Sequence, residues 1–271
     1  MSTLNTSWGR LFYLREGFGP NVHLVFHGFG ETHQDMLSFS KLKKENDSYL
    51  FIDMFYHGKS LWKNHASPLN SKIWKEIITE LQKKEEFEDF HLIGFSMGGK
   101  ISLITFEQFP EQVKSMILIG PDGIKTGAWY GINNYPKYFA PAFKKAVFQP
   151  KPLFSFAESL KKIGLLEKSI HKFISTQMET RSKRAQVFFV WKVFGHLQPN
   201  IAQIIRLSRE RKLPILLFTG KYDQMISHKN LRKFIEKIPS LVHHDLPVGH
   251  GALVTKSIDF LLSSEHSIAQ I

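Results

Sequence analysis

Ser96 lies in Gly94-Phe95-Ser96-Met97-Gly98-Gly99, between an apolar run, Phe90-His91-Leu92-Ile93, and a helical pattern, Lys100-Ile101-Ser102-Leu103-Ile104-Thr105-Phe106. The order is strand, tight turn, helix. A serine at the apex of such a turn is held in a strained backbone conformation, with its hydroxyl raised above a sheet. Glycine is needed two residues before and two after, because side chains there would clash as strand and helix close up. The Gly-x-Ser-x-Gly string alone arises often by chance. Flanked by this strand and this helix, it commits the region to an α/β architecture.

A free serine hydroxyl is a weak nucleophile, so it needs a base within hydrogen-bonding reach and a third group to orient that base. The acid candidate is Asp223, which follows the apolar strand Leu213 to Thr219 and a turn at Gly220. The base candidate is His250, in Gly249-His250-Gly251, after the short strand Leu241 to Leu246 and before an amphipathic C-terminal helix. Asp122 follows another core strand and is a second candidate for the acid. Asp223 is preferred over it, since it sits in a Gly-x-x-Asp turn after the strand that precedes the final one. Upstream, Leu24-Val25-Phe26 ends in the turn His27-Gly28-Phe29-Gly30. Backbone N–H groups of Phe29 and Met97 are the candidate oxyanion hole. His27 and His57 are read as structural histidines that bond neighbouring loops.

These motifs, with Asp53-Met54-Phe55-Tyr56-His57-Gly58-Lys59-Ser60, resemble the α/β-hydrolase superfamily over nearly all of the chain. The resemblance implies a mostly parallel sheet flanked by helices, with an inserted helical cap that roofs the active site. It also implies a triad in the order Ser96, Asp223, His250, with no cofactor and no metal. A serine at the elbow argues against the superfamily's dehalogenases and epoxide hydrolases, which place an aspartate there. One departure is visible: many relatives carry Pro-Gly where this chain has Phe55-Tyr56.

Strand patterns at 8–17, 21–28, 49–55, 90–95 and 113–119 alternate with helical ones, notably Ser71 to Lys84 with Ser71 as candidate cap. The alternation stops at residue 121 and resumes near Pro214. The core domain is therefore expected over 1–120 and 213–271, with the cap over 121–212 as short helices broken at prolines and Gly164. Charge divides the chain at the same places. The net formal charge of +12 falls on residues 121–212, while 1–120 and 213–271 are nearly balanced. The absence of cysteine excludes disulfides and thiolate chemistry. No signal peptide or spanning segment is legible, so the expectation is a cytoplasmic protein.

The expected function is a serine hydrolase cleaving a carboxylic ester or thioester of a small-to-medium hydrophobic substrate through an acyl-enzyme. The motifs also resemble a lyase of menaquinone biosynthesis and carbon–carbon bond hydrolases, and the superfamily includes non-catalytic binding proteins. The cap mixes aromatics, from Trp129 and Tyr130 to Trp191 and Phe194, with lysines and arginines. Its partner is expected to be the small-molecule substrate, with an anionic amphiphile or membrane surface as a further possibility at the basic cap. No nucleic-acid motif accompanies the charge, so no nucleic acid is expected.

Overall fold

A computed structural model of the chain describes residues 1–63, 67–124, 176–226 and 228–263, together with 144, 145, 148, 149 and 155. The strands are β1 (Ser2–Asn5), β2 (Gly9–Glu16), β3 (Asn21–Phe26), β4 (Asp47–Ile52), β5 (Leu61–Trp62), β6 (Phe90–Phe95), β7 (Val113–Ile119), β8 (Ile215–Gly220) and β9 (Leu241–Leu246). Helices are α1 (His33–Met36), α2 (Ser71–Glu85), α3 (Met97–Gln108), α4 (Arg181–Phe194), α5 (Ile201–Glu210), α6 (His228–Lys237) and α7 (Leu253–Ser263). One sheet runs β1-β2-β4-β3-β6-β7-β8-β9, with β5 paired to β2. From β4 to β9 all pairs are parallel, and β1 and β2 join antiparallel. Parallel strands buried on both faces read as unbroken apolar runs, and β8 is buried at every residue.

One face of the sheet packs Phe51, Ile93, Phe95, Ile117, Ile119 and Phe218 against Leu253, Val254, Ile258 and Leu261 of α7. On α2, Trp74 is fully buried, its ring 5.9 Å from that of Phe26. Its indole N–H donates to Thr105 Oγ1 of α3 at 2.8 Å, so the polar tip of a large apolar group is satisfied. The cap of α2 is Asn70 rather than Ser71: Ile73 N–H donates to Asn70 Oδ1 at 3.0 Å.

The chain divides into two compact units, one of Met1–Asn64, Leu69–Lys125 and Leu197–Ile271, the other of His65–Pro68 and Thr126–His196. Residues 197–212, grouped with the insertion by the break in alternation and by charge, fall in the first unit. The reason is α5, whose Ile204 and Ser208 are fully buried and which packs on α3. In the second unit, Thr180 caps α4, and Val187, Val190, Val193 and Phe194 form its buried stripe. Arg184, buried beside them, donates to the carbonyls of Met178 and Glu179 at 3.0 Å each. Most of the insertion's aromatics, Trp129, Tyr130, Tyr135, Tyr138, Phe139 and Phe143 among them, lie outside the described residues. No helix among the described residues is long and apolar enough to cross a membrane.

Candidate active site

Three of the parallel strands deliver side chains from their carboxyl ends, where open α/β sheets bind ligands. Ser96 follows β6 directly and opens α3, with φ +51° and ψ −114°. That left-handed φ is costly for a residue with a β-carbon and is sustained by its surroundings. Ser96 N–H donates to Ile119 O at 2.9 Å, and Ser96 O accepts from Asp122 N–H at 2.9 Å, so β7 and the turn after it grip the elbow from both sides. A β-carbon on Gly94 would overlap Gly98 O and Ser102 Oγ, and one on Gly98 would overlap Phe26 O. Both glycines are therefore required by contact, as the motif predicts.

His250 follows β9 and Asp223 follows β8. His250 Nε2 lies 3.0 Å from Ser96 Oγ, and His250 Nδ1 lies 2.6 Å from Asp223 Oδ2. The other oxygen, Asp223 Oδ1, accepts from Met225 N–H at 2.8 Å and Ile226 N–H at 2.9 Å. The carboxylate is thus fixed from both ends, and its side chain is fully buried. The structure brings Ser96, His250 and Asp223 into one hydrogen-bonded line. Asp122 is elsewhere: its backbone serves the elbow, and its charge acts on the buried ammonium of Lys100. Burial pushes the Lys100 ammonium down, against the pull of Asp122.

Phe29 and Met97 are brought close by register. β3 and β6 are adjacent and parallel with Phe26 opposite Gly94, so the turn after β3 sits beside the elbow after β6. Met97 is the first residue of α3, where a backbone N–H has no partner within the helix. The turn at Phe29 is tied by its neighbours. Glu31 N–H donates to Gly28 O at 3.3 Å, Gly28 N–H to Glu31 Oε2 at 2.9 Å, and Gly30 N–H to His57 Nε2 at 3.0 Å.

His27 and His57 take the structural roles expected of them. His27 Nδ1 lies 2.7 Å from Gly28 O, while its Nε2 accepts from Met54 N–H at 3.0 Å. His57 Nδ1 lies 3.1 Å from Phe55 O, and its Nε2 accepts from Gly30. Each ring accepts at Nε2, which requires the neutral form. Burial pushes His27 down to about 4 and His57 to about 3. Because these pKa values lie below the unfolded value of about 6.5, the unfolded chain binds more protons in acid. Stability is complete above about pH 6.5 and is lost as pH falls toward 4, by about 3 kcal/mol for His27 alone. Urea melts at pH 7.5 and 4.5 measure this, and equal stabilities would refute the neutral pair.

The turn Asp53 to Ser60 shows what replaces Pro-Gly. Tyr56 takes φ +64°, a conformation natural to glycine, and Asp53 holds the loop around it. Asp53 is fully buried, with Oδ1 accepting from His33 N–H at 2.7 Å and Oδ2 from Lys59 N–H at 2.9 Å. Two further residues at the site carried no sequence assignment. Gly120, at φ +46°, lies under His250: a β-carbon there would be 3.2 Å from the ring. Glu31 sends its carboxylate back to the turn that holds Phe29. Gly120 could have been found from its place after β7; nothing local marks Glu31. Among the described residues no cluster of three or more His, Cys, Asp or Glu side chains is placed to hold a metal ion.

The family model described as alpha/beta hydrolase fold matches residues 24–257. Lipase 1 of Psychrobacter immobilis is 24% identical over 238 residues, 85% of this chain and 71% of that protein. A probable alcohol acetyltransferase of Wickerhamomyces anomalus is 30% identical over 98 residues, 35% of this chain and 28% of that protein. The stretches matched in three of the curated relatives amount to 28%, 45% and 35% of their lengths. Among solved structures, an alpha/beta hydrolase enzyme from a Medee basin deep-sea metagenome library superposes with a TM-score of 0.70 at 15% identity. That superposition covers 96% of this chain and 94% of the other.

Proposed function

The chain belongs to the alpha/beta hydrolase fold family, and on that premise we propose that it is a serine hydrolase acting on carboxylic esters or thioesters. The observation that carries the reading is the line Ser96 Oγ, His250 Nε2, His250 Nδ1, Asp223 Oδ2, with steps of 3.0 and 2.6 Å. In this mechanism His250 takes the Ser96 proton as Oγ attacks the substrate carbonyl. The tetrahedral oxyanion is met by the backbone N–H groups of Phe29 and Met97. His250 then gives its proton to the departing alkoxide or thiolate, leaving Ser96 acylated. Water, deprotonated by His250, attacks the acyl-enzyme and releases the acid, and the proton returns to Ser96. Asp223 keeps the imidazole in the tautomer this needs and stabilises its cation.

The substrate class is a small-to-medium hydrophobic acyl group. The positive charge concentrated in residues 121–212 supports recruitment of an amphiphile with an anionic head, or of an anionic lipid surface. The test is turnover of aryl esters from acetyl to long chain, together with covalent labelling by a neutral fluorophosphonate. Ester turnover with labelling confined to Ser96 is the expected result, and the optimum length sizes the acyl site. Labelling without ester turnover would move the assignment to carbon–carbon bond cleavage or elimination. Neither labelling nor turnover would leave a binding protein and end the hydrolase reading.

A further inference from the structure

Glu31 is set into the turn that presents the Phe29 N–H, yet neither the fold nor the proposed chemistry needs an acid there. Its Oε2 accepts the Gly28 N–H at 2.9 Å. Its Oε1 accepts no hydrogen bond among the described residues. A neutral amide oxygen would serve Gly28 equally well, so the turn does not account for the charge. The carboxylate also lies toward the reacting centre. Gly28, to which it is clipped, abuts the Phe95 ring: a β-carbon on Gly28 would be 3.0 Å from that ring and 3.0 Å from Glu31 Oε2. The Phe95 ring in turn packs on His250 at 4.9 Å between centroids. Glu31 is within electrostatic reach of His250.

We propose that Glu31 is a specificity-determining residue whose carboxylate excludes acyl groups bearing a negative charge near the reacting carbonyl and admits neutral or cationic ones. The inference rests on the serine-hydrolase reading of the same site. A fixed negative charge beside a binding site discriminates by repulsion, and partial burial weakens the screening that water would supply. The charged and titratable groups acting on Glu31 are His250, from the loop after β9, and Asp35, from α1. Burial pushes the Glu31 carboxyl up; the Gly28 N–H and His250 pull it down, while Asp35 adds to the upward push. An anionic amphiphile recruited by the basic insertion would on this account carry its charge at the end remote from the scissile bond.

The experiment uses two short fluorophosphonates of equal length, one with a neutral alkyl group and one with a carboxylate placed close to phosphorus, at pH 8. Second-order rates of Ser96 labelling are compared for the wild type, Glu31→Gln and Glu31→Ala. The glutamine variant keeps an acceptor for Gly28, and thermal melts establish that each variant is folded. The ratio of neutral to anionic labelling is expected to fall about tenfold in either neutral variant, through a faster anionic reaction. Glu31→Asp, which retains the charge, is expected to keep a ratio above that of the two neutral variants. Labelling with the same ratio in wild type and neutral variants would overturn this inference and leave the hydrolase reading standing. Absence of any labelling in the wild type would overturn both.

Discussion

Ser96→Ala is expected to lower ester turnover about a million-fold, to the level that binding and the oxyanion donors alone support. The size follows from the unit behaviour of the line described above. With Oγ gone, His250 has no proton to take, and the remaining partners gain nothing from their 2.6 Å contact. The same position separates chemistry from stability. Alanine keeps the β-carbon at φ +51°, so the backbone strain stays. Glycine removes it, and Ser96→Gly is expected to be equally inactive yet more stable by about 1 kcal/mol, since strain of this kind is typically worth 1–3 kcal/mol. Burst and steady-state assays with a thermal melt on each variant decide the matter. Turnover in Ser96→Ala within tenfold of wild type would mean a different nucleophile.

Gly98→Ala is expected to be the most damaging single methyl near the site. Its β-carbon would overlap Phe26 O and lie 2.8 Å from His27 O, both backbone atoms at the end of β3. Backbone in a central parallel strand has little freedom to yield, so α3 must lift from the sheet. Overpacking in a tight core typically costs about 1–3 kcal/mol, and the upper end is expected here, a fall in Tm of about 5 °C for a chain of this size. Gly251→Ala is the matched control. Among the described residues no atom beyond its chain neighbours lies within 4 Å of a β-carbon there, and its stability is expected to stay within about 0.5 kcal/mol of wild type. A Gly98→Ala protein that melts with the wild type would show that the sheet and α3 are not locked at this contact.

Ser96 and Asp223 were readable because each sits just past an apolar strand, in a short turn whose composition permits a tight reversal, whereas His250 follows the mixed strand β9 and was found from its Gly-His-Gly setting. Ser96, Asp223 and His250 therefore emerge from local pattern and chain order alone. β1 and β5 did not. Ser2–Asn5 has one buried residue, Leu4, and Leu61–Trp62 is only two residues long, so neither shows a period. Gly120 is marked by its place after β7, but its contact with His250 is not, and Glu31 carries no local mark. What they do depends on neighbours that folding supplies: His250 lies 130 positions from Gly120 in sequence and against it in space. The edge of the insertion was placed where strand and helix patterns resume near Pro214, and charge agreed, but charge reports on solvent, not on packing. Arg206, Arg209 and Arg211 made 197–212 look like the basic insertion, while buried Ile204 tied it to α3.

The pairing of β7 with β8, Met116 opposite Ile215, closes the largest gap in the sheet. Its consequence is temporal. A chain emerging from synthesis can complete β3, β6 and β7, and with them the strained elbow, while β8 and β9 do not yet exist. On that order Ser96 is placed before Asp223 and His250 can reach it. Closing a long segment is entropically slow to accomplish yet insensitive to its exact length, each doubling adding only about 0.6 kcal/mol. Lengthening the inserted segment is therefore expected to alter stability only weakly.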